Sequence, residues 1–218
     1  MSPKKSYKGR PMEGLIAKWY AKITTGDARG FKRIARAVVD QVGPGSKILE
    51  VAPGPGYLAA EIAKLDAEVS GLDISRSFVR IASENARREG VSIDFRLGDA
   101  ANMPFSDESF DFVICTAAFK NFTDPVGAIN EIHRVLKPGG RASIQDLSKD
   151  APQEAIDTEV RGMKLSWLNT ILTIWTFRLM LLKRAYTDDA LKRMVSESSF
   201  RKGEIIHEGI GFDLRLAK

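Results

Sequence analysis

The sequence has little of what disulfides and metal clusters require. Its 218 residues include one cysteine, Cys115, and two histidines, His133 and His207. A single cysteine cannot form an internal disulfide, and so few sulfur and imidazole ligands exclude the usual zinc and iron sites. No apolar signal segment follows Met1. These absences predict a protein without a metal in a reducing, cytoplasmic compartment.

Long hydrophobic runs and a strong net charge are also missing. The longest stretch without a charged residue, 165–177, is too short for a transmembrane helix, which needs about 20 residues. The formal charge of +5 is modest, and the basic residues are spread except in 1–10. We expect 1–10 to be a flexible basic terminus, and contact with nucleic acid or acidic lipid is the minority alternative. Ordinary hydrophobic and charged fractions predict one globular domain over 11–218.

One stretch, 47–57, combines an aliphatic strand pattern with a turn rich in glycine and proline. A helical pattern follows it, so the turn lies at a helix N-terminus, where free backbone N–H groups bind ligand oxygens. A second strand pattern then ends at Asp73. An acid at the end of a parallel strand is placed to accept hydrogen bonds from both hydroxyls of a ribose. This order of elements indicates a site for a nucleoside cofactor.

Strand and helix patterns alternate along the middle of the chain, which is typical of a doubly wound α/β fold with a mostly parallel sheet. Two amphipathic helices precede the first strand, and a last helix begins at Thr187. Two final strand patterns, separated by Gly209 and Gly211, predict an antiparallel pair. The strands of the parallel part are predicted at 47–51, 68–73, 91–97, 110–116 and 141–146.

Four stretches in this order, 49–56, 71–75, 98–105 and 131–140, carry a resemblance to a known family. The sequence resembles the class I S-adenosylmethionine-dependent methyltransferases, in particular the small-molecule branch that includes ubiquinone and menaquinone C-methyltransferases. The resemblance implies a seven-stranded sheet of order 3-2-1-4-5-7-6 with its last strand antiparallel. A nicotinamide dinucleotide enzyme is the weaker alternative, because its G-x-G-x-x-G fingerprint is absent here.

The resemblance also implies which residues hold S-adenosyl-L-methionine and, after reaction, S-adenosyl-L-homocysteine. The methionine portion is assigned to Glu50, Gly54 and Gly56, and Ala52 stands where the family has a glycine. Asp73, with Ile74 beside it, is assigned to the ribose. Asp99 and Ala100 are assigned to the adenine, and Thr116 and Ala117 to the sulfonium and amino group.

Two polar residues at the carboxyl edge of the predicted sheet are candidates for catalysis. Lys120 follows the fourth strand and Asp146 ends the fifth, where ligands bind in open α/β sheets. A solvated loop for Lys120, and a helix cap or salt bridge for Asp146, are the structural alternatives. We expect His133 and His207 to be surface or packing residues, because a catalytic base must first reach the substrate.

A helical insertion after the fifth strand, 151–185, is the remaining expectation. Its apolar stretch predicts a helix that must be buried by something. A substrate lid is ranked first, a homodimer contact through 163–182 second and membrane-surface contact third. The predicted function is methyl transfer from S-adenosylmethionine to a small apolar or aromatic metabolite. The alternative is a regulator or partner subunit that binds the cofactor without catalysis.

Overall fold

The computed structural model describes residue 8 and residues 12–24, 28–152, 154, 155, 158 and 183–218. Throughout these ranges, no helix combines the length and the apolar character needed to cross a membrane. The predicted lid, the dimer contact through 163–182 and most of the insertion 151–185 lie outside the described residues. Most of the basic terminus also lies outside them. These expectations therefore stay predictions.

The seven strands form one sheet in the order 3-2-1-4-5-7-6, which confirms the predicted topology. Strands 1 to 5 pair in parallel, and β7 runs antiparallel to both β5 and β6. The strands are β1 (Lys47–Val51), β2 (Glu68–Asp73), β3 (Ile93–Leu97), β4 (Phe110–Thr116), β5 (Leu136–Leu147), β6 (Glu204–Glu208) and β7 (Gly211–Ala217).

Six helices are described. Three of them begin at the side-chain caps that the sequence predicts: the side chains of Ser75, Asp124 and Thr187 each accept a hydrogen bond from a backbone N–H in the first turn. These caps fix where the chain turns from strand or loop into helix. The helices are α1 (Gly14–Thr24), α2 (Ala28–Val42), α3 (Tyr57–Ala63), α4 (Arg76–Arg88), α5 (Pro125–Val135) and α6 (Asp188–Glu197).

Strand β5 is longer than predicted. Leu136 pairs with Phe110 before the Lys-Pro-Gly-Gly segment, and pairing resumes where Arg141 meets Phe112. The segment 137–140 was predicted to end α5 as a turn that precedes the strand. It is instead an irregularity within β5, because residues both before and after it pair with β4. The carboxyl end of β5, which matters for the site, is as predicted to within one residue.

The sheet is covered on both faces, as its nearly continuous apolar central strands require. Alternate residues of β1 show this: Ile48 packs with α2 and α3, whereas Leu49 packs with α5 and α6. The same alternation separates Phe112 from Val113 in β4. Because both faces are covered, the carboxyl ends of β1, β2 and β4 are the edge at which a ligand is accessible.

Helix α1 packs against α4 with its small side chains. Ala17 and Ala21 are buried, whereas Leu15, Ile16 and Trp19 are exposed. The periodicity of α1 predicts the opposite, with large apolar residues inward. Alanines occupy the inner positions because they let the two helices approach closely. Hydrogen bonds fasten α1 to α4, since the carboxylate of Glu13 accepts from the first two backbone N–H groups of α4 at 3.0 Å.

Candidate active site

The loop between β1 and α3 turns through three residues in the left-handed backbone region. The φ values are 58° at Ala52, 54° at Gly54 and 77° at Gly56. A hydrogen bond of 2.7 Å from the backbone N–H of Ala52 to the carbonyl of Leu72 holds the start of the loop on β2. Alanine tolerates this conformation at a cost that glycine does not have. Ala52 therefore adopts, under some strain, the backbone conformation that suits the glycine found at this position in the family.

Gly56 and Gly54 serve the loop differently. A Cβ atom on Gly56 would lie 2.8 Å from the Cβ of Ala82 and 2.9 Å from the Cζ of Phe95. A Cβ atom on Gly54 would meet nothing within 4 Å, and Gly54 lines a cavity. Gly56 thus allows the loop to pack on α4 and β3, and Gly54 leaves room for a ligand.

Asp73 connects the loop to the next strand. Its carboxylate accepts hydrogen bonds from the backbone N–H of Gly54 at 3.0 Å and of Ser75 at 2.8 Å. Burial, with a smaller contribution from the nearby Glu13, raises the pKa of Asp73 to about 6 against the lowering effect of these two bonds. Asp73 is 6% exposed and lines a cavity. Its remaining lone pairs are available at the position where the sequence predicts a ribose.

This cavity lies at the carboxyl edge of the sheet, above β1, β2 and β4. Asp99 and Ala100 border it together with Asp73, and the Asp99 carboxylate accepts a 3.0 Å bond from the backbone N–H of Ala101, which orients it. We call it the nucleoside cavity. Its lining includes Ala52, Gly54, Asp73, Ile74, Asp99, Ala100, Thr116 and Ala117, which are eight of the ten residues assigned to the cofactor.

A second cavity adjoins the nucleoside cavity and shares its wall at Thr116 and Ala117. We call it the aromatic cavity, because the rings of Tyr20, Phe31 and Tyr57 line it. Glu50 lines this cavity, which accounts for a ninth predicted residue, whereas Gly56 lines neither. The residues of the aromatic cavity that the nucleoside cavity does not share are Ile23, Thr24, Phe31, Glu50, Pro53, Pro55, Tyr57 and Leu58.

Sequence reasoning missed the contribution of α1 to this site. Tyr20 lines both cavities, and its ring meets that of Phe78 edge to face, with centroids 5.8 Å apart. Met12 also lines the nucleoside cavity, as does Asn121, which the sequence already places beside Lys120 at the carboxyl edge. No motif marks Met12 or Tyr20, because α1 lies far along the chain from the glycine loop. Only the docking of α1 on α4 brings them there.

Residues 49–144 match the family described as Methyltransferase domain. This part of the chain is a methyltransferase domain. The match and the sheet order confirm the family resemblance, and S-adenosylmethionine is the cofactor of that family.

Relatives of the methyltransferase domain include quinone-modifying enzymes. The chain is 35% identical over 128 residues to a demethylmenaquinone methyltransferase of Renibacterium salmoninarum, covering 58% of this chain and 51% of the relative. It is 46% identical over 99 residues to one of Chlorobaculum parvum, covering 45% of this chain and 39% of the relative. The chain thus spans about half the length, or less, of these two relatives.

A solved structure shares the fold of the methyltransferase domain. It is described as a proposed S-adenosyl-L-methionine-dependent methyltransferase of Methanococcus maripaludis, and it superposes with a TM-score of 0.76 at 22% identity. The match covers 100% of this chain and 97% of the other. At this identity the likeness establishes the architecture alone.

Glu50 provides the test of whether the methyltransferase site fits a cationic cofactor. Its side chain is 2% exposed, and among the described residues no group hydrogen-bonds to its Oε2. Burial raises the pKa of Glu50 to about 8, although the backbone of Ala59 donates a hydrogen bond that opposes this rise, and the nearby charge of Asp73 adds to it. A buried acid with one unpaired oxygen in a cavity wall fits an ammonium or sulfonium group, so the residues present fit S-adenosylmethionine.

Lys120 and Asp146, the residues predicted for catalysis, form a buried ion pair beneath the methyltransferase cavities. The Nζ of Lys120 lies 2.6 Å from Oδ1 of Asp146 and donates a 2.7 Å bond to the carbonyl of Ala117. The other carboxylate oxygen of Asp146 accepts from the backbone N–H of Lys120 at 2.9 Å. Neither side chain lines the two cavities, but Ala117 lines both. The pair therefore acts on the backbone of the cavity wall.

The remaining polar candidates lie away from the two cavities. The ring of His133 packs edge to face on Phe200, with centroids 4.8 Å apart, and His207 Nε2 lies 2.9 Å from Asp188 at the surface. Both agree with the packing or surface roles predicted for them. Cys115 is fully buried, and burial raises the pKa of its thiol, so it is inert. Across the described ranges, no group of three or more His, Cys, Asp or Glu side chains is placed to hold a metal.

Proposed function

We propose that this protein transfers a methyl group from S-adenosylmethionine to a small apolar or aromatic acceptor. The observation that carries the proposal is the junction of two unlike cavities at Thr116 and Ala117. The nucleoside cavity has Asp73 and Asp99, which are expected to hold a nucleoside. The aromatic cavity has Glu50, expected to hold the methionine portion, and the rings expected to hold an apolar molecule. The names of the relatives support an aromatic, quinone-like acceptor.

Individual residues are assigned to the cofactor as follows. Asp73 would hold the ribose, Asp99 with Ala100 the adenine, and Glu50 the amino end of the methionine portion. Ile74, Thr116, Ala117 and the loop at Ala52 and Gly54 would complete the contact surface. We assign Gly56 to shaping the loop, because it lines neither cavity.

The chemistry requires positioning more than proton transfer. The bound cofactor supplies a methyl group already activated on a sulfonium, so the protein must align the acceptor in a dry site, which is worth about 7–11 kcal/mol. Tyr20 borders both cavities, and burial raises the pKa of its phenol. Tyr20 is thus a hydrogen-bond donor near neutral pH rather than a base. We propose that it donates a hydrogen bond to an oxygen of the acceptor, and that the proton which the acceptor loses passes to solvent water.

Lys120 and Asp146 are proposed as positioning residues. The Lys120 ammonium holds the carbonyl of Ala117, a residue with a φ of 57° at the junction of the cavities. A positive φ at a residue other than glycine persists only where its surroundings enforce it. The ion pair supplies that enforcement. This role differs from direct contact with the acceptor, which the sequence suggested for both residues.

The experiment is incubation of the purified chain with S-adenosylmethionine and a panel of reduced naphthoquinols, benzoquinols and catechols. Formation of S-adenosylhomocysteine together with a methylated ring compound would support the proposal. Tight cofactor binding without turnover on the whole panel would favour the regulator or partner-subunit alternative. Asp94→Ala is a suitable control variant, because Asp94 is an exposed acid on the neighbouring strand β3.

We also propose that the protein acts in a reducing cytoplasmic compartment. The single, buried Cys115 supports this location, because nothing in the sequence depends on oxidation. The acceptor is proposed to be a small molecule and not a nucleic acid. The modest net charge and the partly aromatic cavity support this choice.

A further inference from the structure

The outer face of α1 is an apolar surface with a basic border. Leu15 is 82% exposed, Ile16 and Trp19 are each 61% exposed, and Ile23 is 54% exposed. At 100° per residue these four positions fall within one sector of the helix. We call this sector the α1 outer face. Among the described residues one other large apolar side chain is exposed, Leu97 on β3 at 42%.

The packing of α1 holds this arrangement in place. The helix turns its alanines to the protein and its largest side chains to the outside. Its attachment is well defined: Glu13 caps α4, and the backbone N–H of Gly14 donates a 2.9 Å bond to the Ser77 hydroxyl. The helix therefore cannot simply roll to bury Trp19 without breaking these bonds. Contiguous exposed apolar surface of this kind marks a site of interaction.

Charge around the face selects the partner. Lys18 and Lys22 lie along one side of it on α1, and across a shallow groove from Lys18 lie Arg80 and Arg88 of α4. Glu84 also borders the groove, 3.7 Å from Arg80, and Glu13 is engaged at the N-terminus of α4. The border is thus net positive. The sequence adds Lys4, Lys5 and Arg10 shortly before α1.

We propose that the α1 outer face binds the surface of an anionic lipid bilayer. A face with tryptophan and aliphatic residues, bordered by lysine and arginine, is the composition of helices that lie in a membrane interface. A second copy of this chain fits less well, because a two-fold contact would bring the same basic border together from both copies. The inner side of the same helix contributes Tyr20 to both cavities. Membrane contact would therefore place the mouth of the site close to lipid.

Vesicle binding tests the proposal without cofactor or acceptor, so its failure and the failure of methyl transfer are distinguishable. The full chain is sedimented with phosphatidylcholine vesicles that contain phosphatidylglycerol, and separately with phosphatidylcholine alone. We expect binding to the anionic vesicles. The double variant Ile16→Ser, Trp19→Ser should bind at least about tenfold more weakly, since two large apolar side chains are lost from the contact. Neither Ile16 nor Trp19 lines the nucleoside cavity or the aromatic cavity, so the cofactor affinity of the double variant should match that of wild type.

Two matched variants complete the design. Leu97→Ser removes an exposed apolar side chain of β3, outside the α1 outer face, and should leave vesicle binding unchanged. Lys18→Glu should weaken binding to the anionic vesicles about fivefold and leave the weaker binding to neutral vesicles unaffected. Absence of binding by wild type, or equal binding by the double variant, would overturn the proposal.

The competing occupants give their own signals. A dimer on sizing that becomes monomeric in the double variant, without vesicle binding, would assign the face to a second copy. Protection of Trp19 from acrylamide quenching in lipid-free Trp167→Phe, Trp175→Phe protein would show that another part of the chain covers it. Either result overturns the lipid assignment. Exposure of Trp19 without lipid, and a blue-shifted emission with anionic vesicles, would support it.

Discussion

The Nζ of Lys120 and Oδ1 of Asp146 lie 2.6 Å apart, with the two side chains 9% and 1% exposed. The pair joins the segment after β4 to the end of β5 at the carboxyl edge of the sheet. Lys8 adds a contact from the N-terminal stretch, since its Nζ donates to the Lys120 carbonyl at 3.2 Å and to the Tyr186 hydroxyl at 2.7 Å. Distant parts of the chain thus meet around one buried charge pair.

Lys120→Met should lower the free energy of unfolding by about 3–5 kcal/mol, because it leaves the buried Asp146 carboxylate without its counter-charge. The double variant Lys120→Met, Asp146→Leu should recover much of this loss. Chemical denaturation measures both. Arg33→Met is the control, since the Arg33–Glu208 pair is exposed, and it should change stability by less than about 1 kcal/mol.

Turnover separates positioning by the pair from simple stabilisation. Lys120→Arg keeps the charge and should retain more activity than Lys120→Met at a temperature where both are folded. Equal kcat and KM for folded Lys120→Met and wild type would contradict a role in the site.

Asp73→Ala should weaken S-adenosylmethionine binding at least about tenfold. Each hydrogen bond to a charged acceptor is worth about 1.5–3 kcal/mol, and the variant also frees the Gly54 N–H that the carboxylate holds. Isothermal titration calorimetry measures the change, with Asp94→Ala as the control. An affinity equal to that of wild type would exclude Asp73 from the ribose site.

Ala52→Gly should leave cofactor affinity within a few-fold of wild type, because glycine accepts the φ of 58° that alanine holds under strain. Stability should stay the same or rise by up to about 1 kcal/mol. Ala60→Gly, inside α3, is the contrasting variant and should cost about 1 kcal/mol or more. Complete loss of binding by Ala52→Gly would show that the alanine methyl group contacts the ligand.

Gly56→Ala and Gly54→Ala should fail in different ways. Both place a side chain at positive φ, but only the Gly56 variant overlaps Ala82 and Phe95. We expect it to lose about 1–3 kcal/mol more stability than Gly54→Ala, as measured by denaturation. For a given loss of stability, Gly54→Ala should lose more cofactor affinity than Gly56→Ala, since Gly54 lines both cavities. Equal stability of the two variants would contradict the packing role of Gly56.

Glu50→Gln should remove a pH dependence of stability from the ligand-free protein. The unfolded chain releases the Glu50 proton near the ordinary pKa of 4.5, whereas the folded protein keeps it until about 8. Folding therefore binds a proton between these values, and Glu50 makes stability fall as pH rises, by at most about 1.4 kcal/mol per pH unit. Asp73 contributes in the same direction only up to about pH 6.

The measurement compares wild type, Glu50→Gln and the exposed-acid control Glu197→Gln by denaturation at about pH 6.5 and about pH 8, the part of this range in which Asp73 no longer contributes. The Glu50→Gln variant should gain stability relative to wild type at the higher pH, and the control should not. Parallel curves for wild type and Glu50→Gln would show that Glu50 is ionised in the folded, ligand-free protein.

Local patterns were sufficient to predict the central half of the fold. The caps at Ser75, Asp124 and Thr187 and the acid at Asp73 can be recognised in the sequence, because each acts through its immediate neighbours. The Lys120–Asp146 pair could be named as two candidates but not as a pair, since only the pairing of β4 with β5 brings them together. The burial of small residues in α1 reverses the usual pattern, and periodicity cannot detect which face of a helix meets the protein.

The bridge between Ser148 and Tyr186 brings together the two ends of residues 149–185, and the backbone N–H of Lys149 donates a 3.0 Å bond to the Tyr186 carbonyl. Chain that leaves and rejoins a fold at one point can be lengthened, shortened or exchanged at small entropic cost. The sheet and glycine loop need not change when this segment does. Evolution, or a designer grafting the equivalent segment from a relative, could thus exchange this segment while inheriting the sheet and the glycine loop intact.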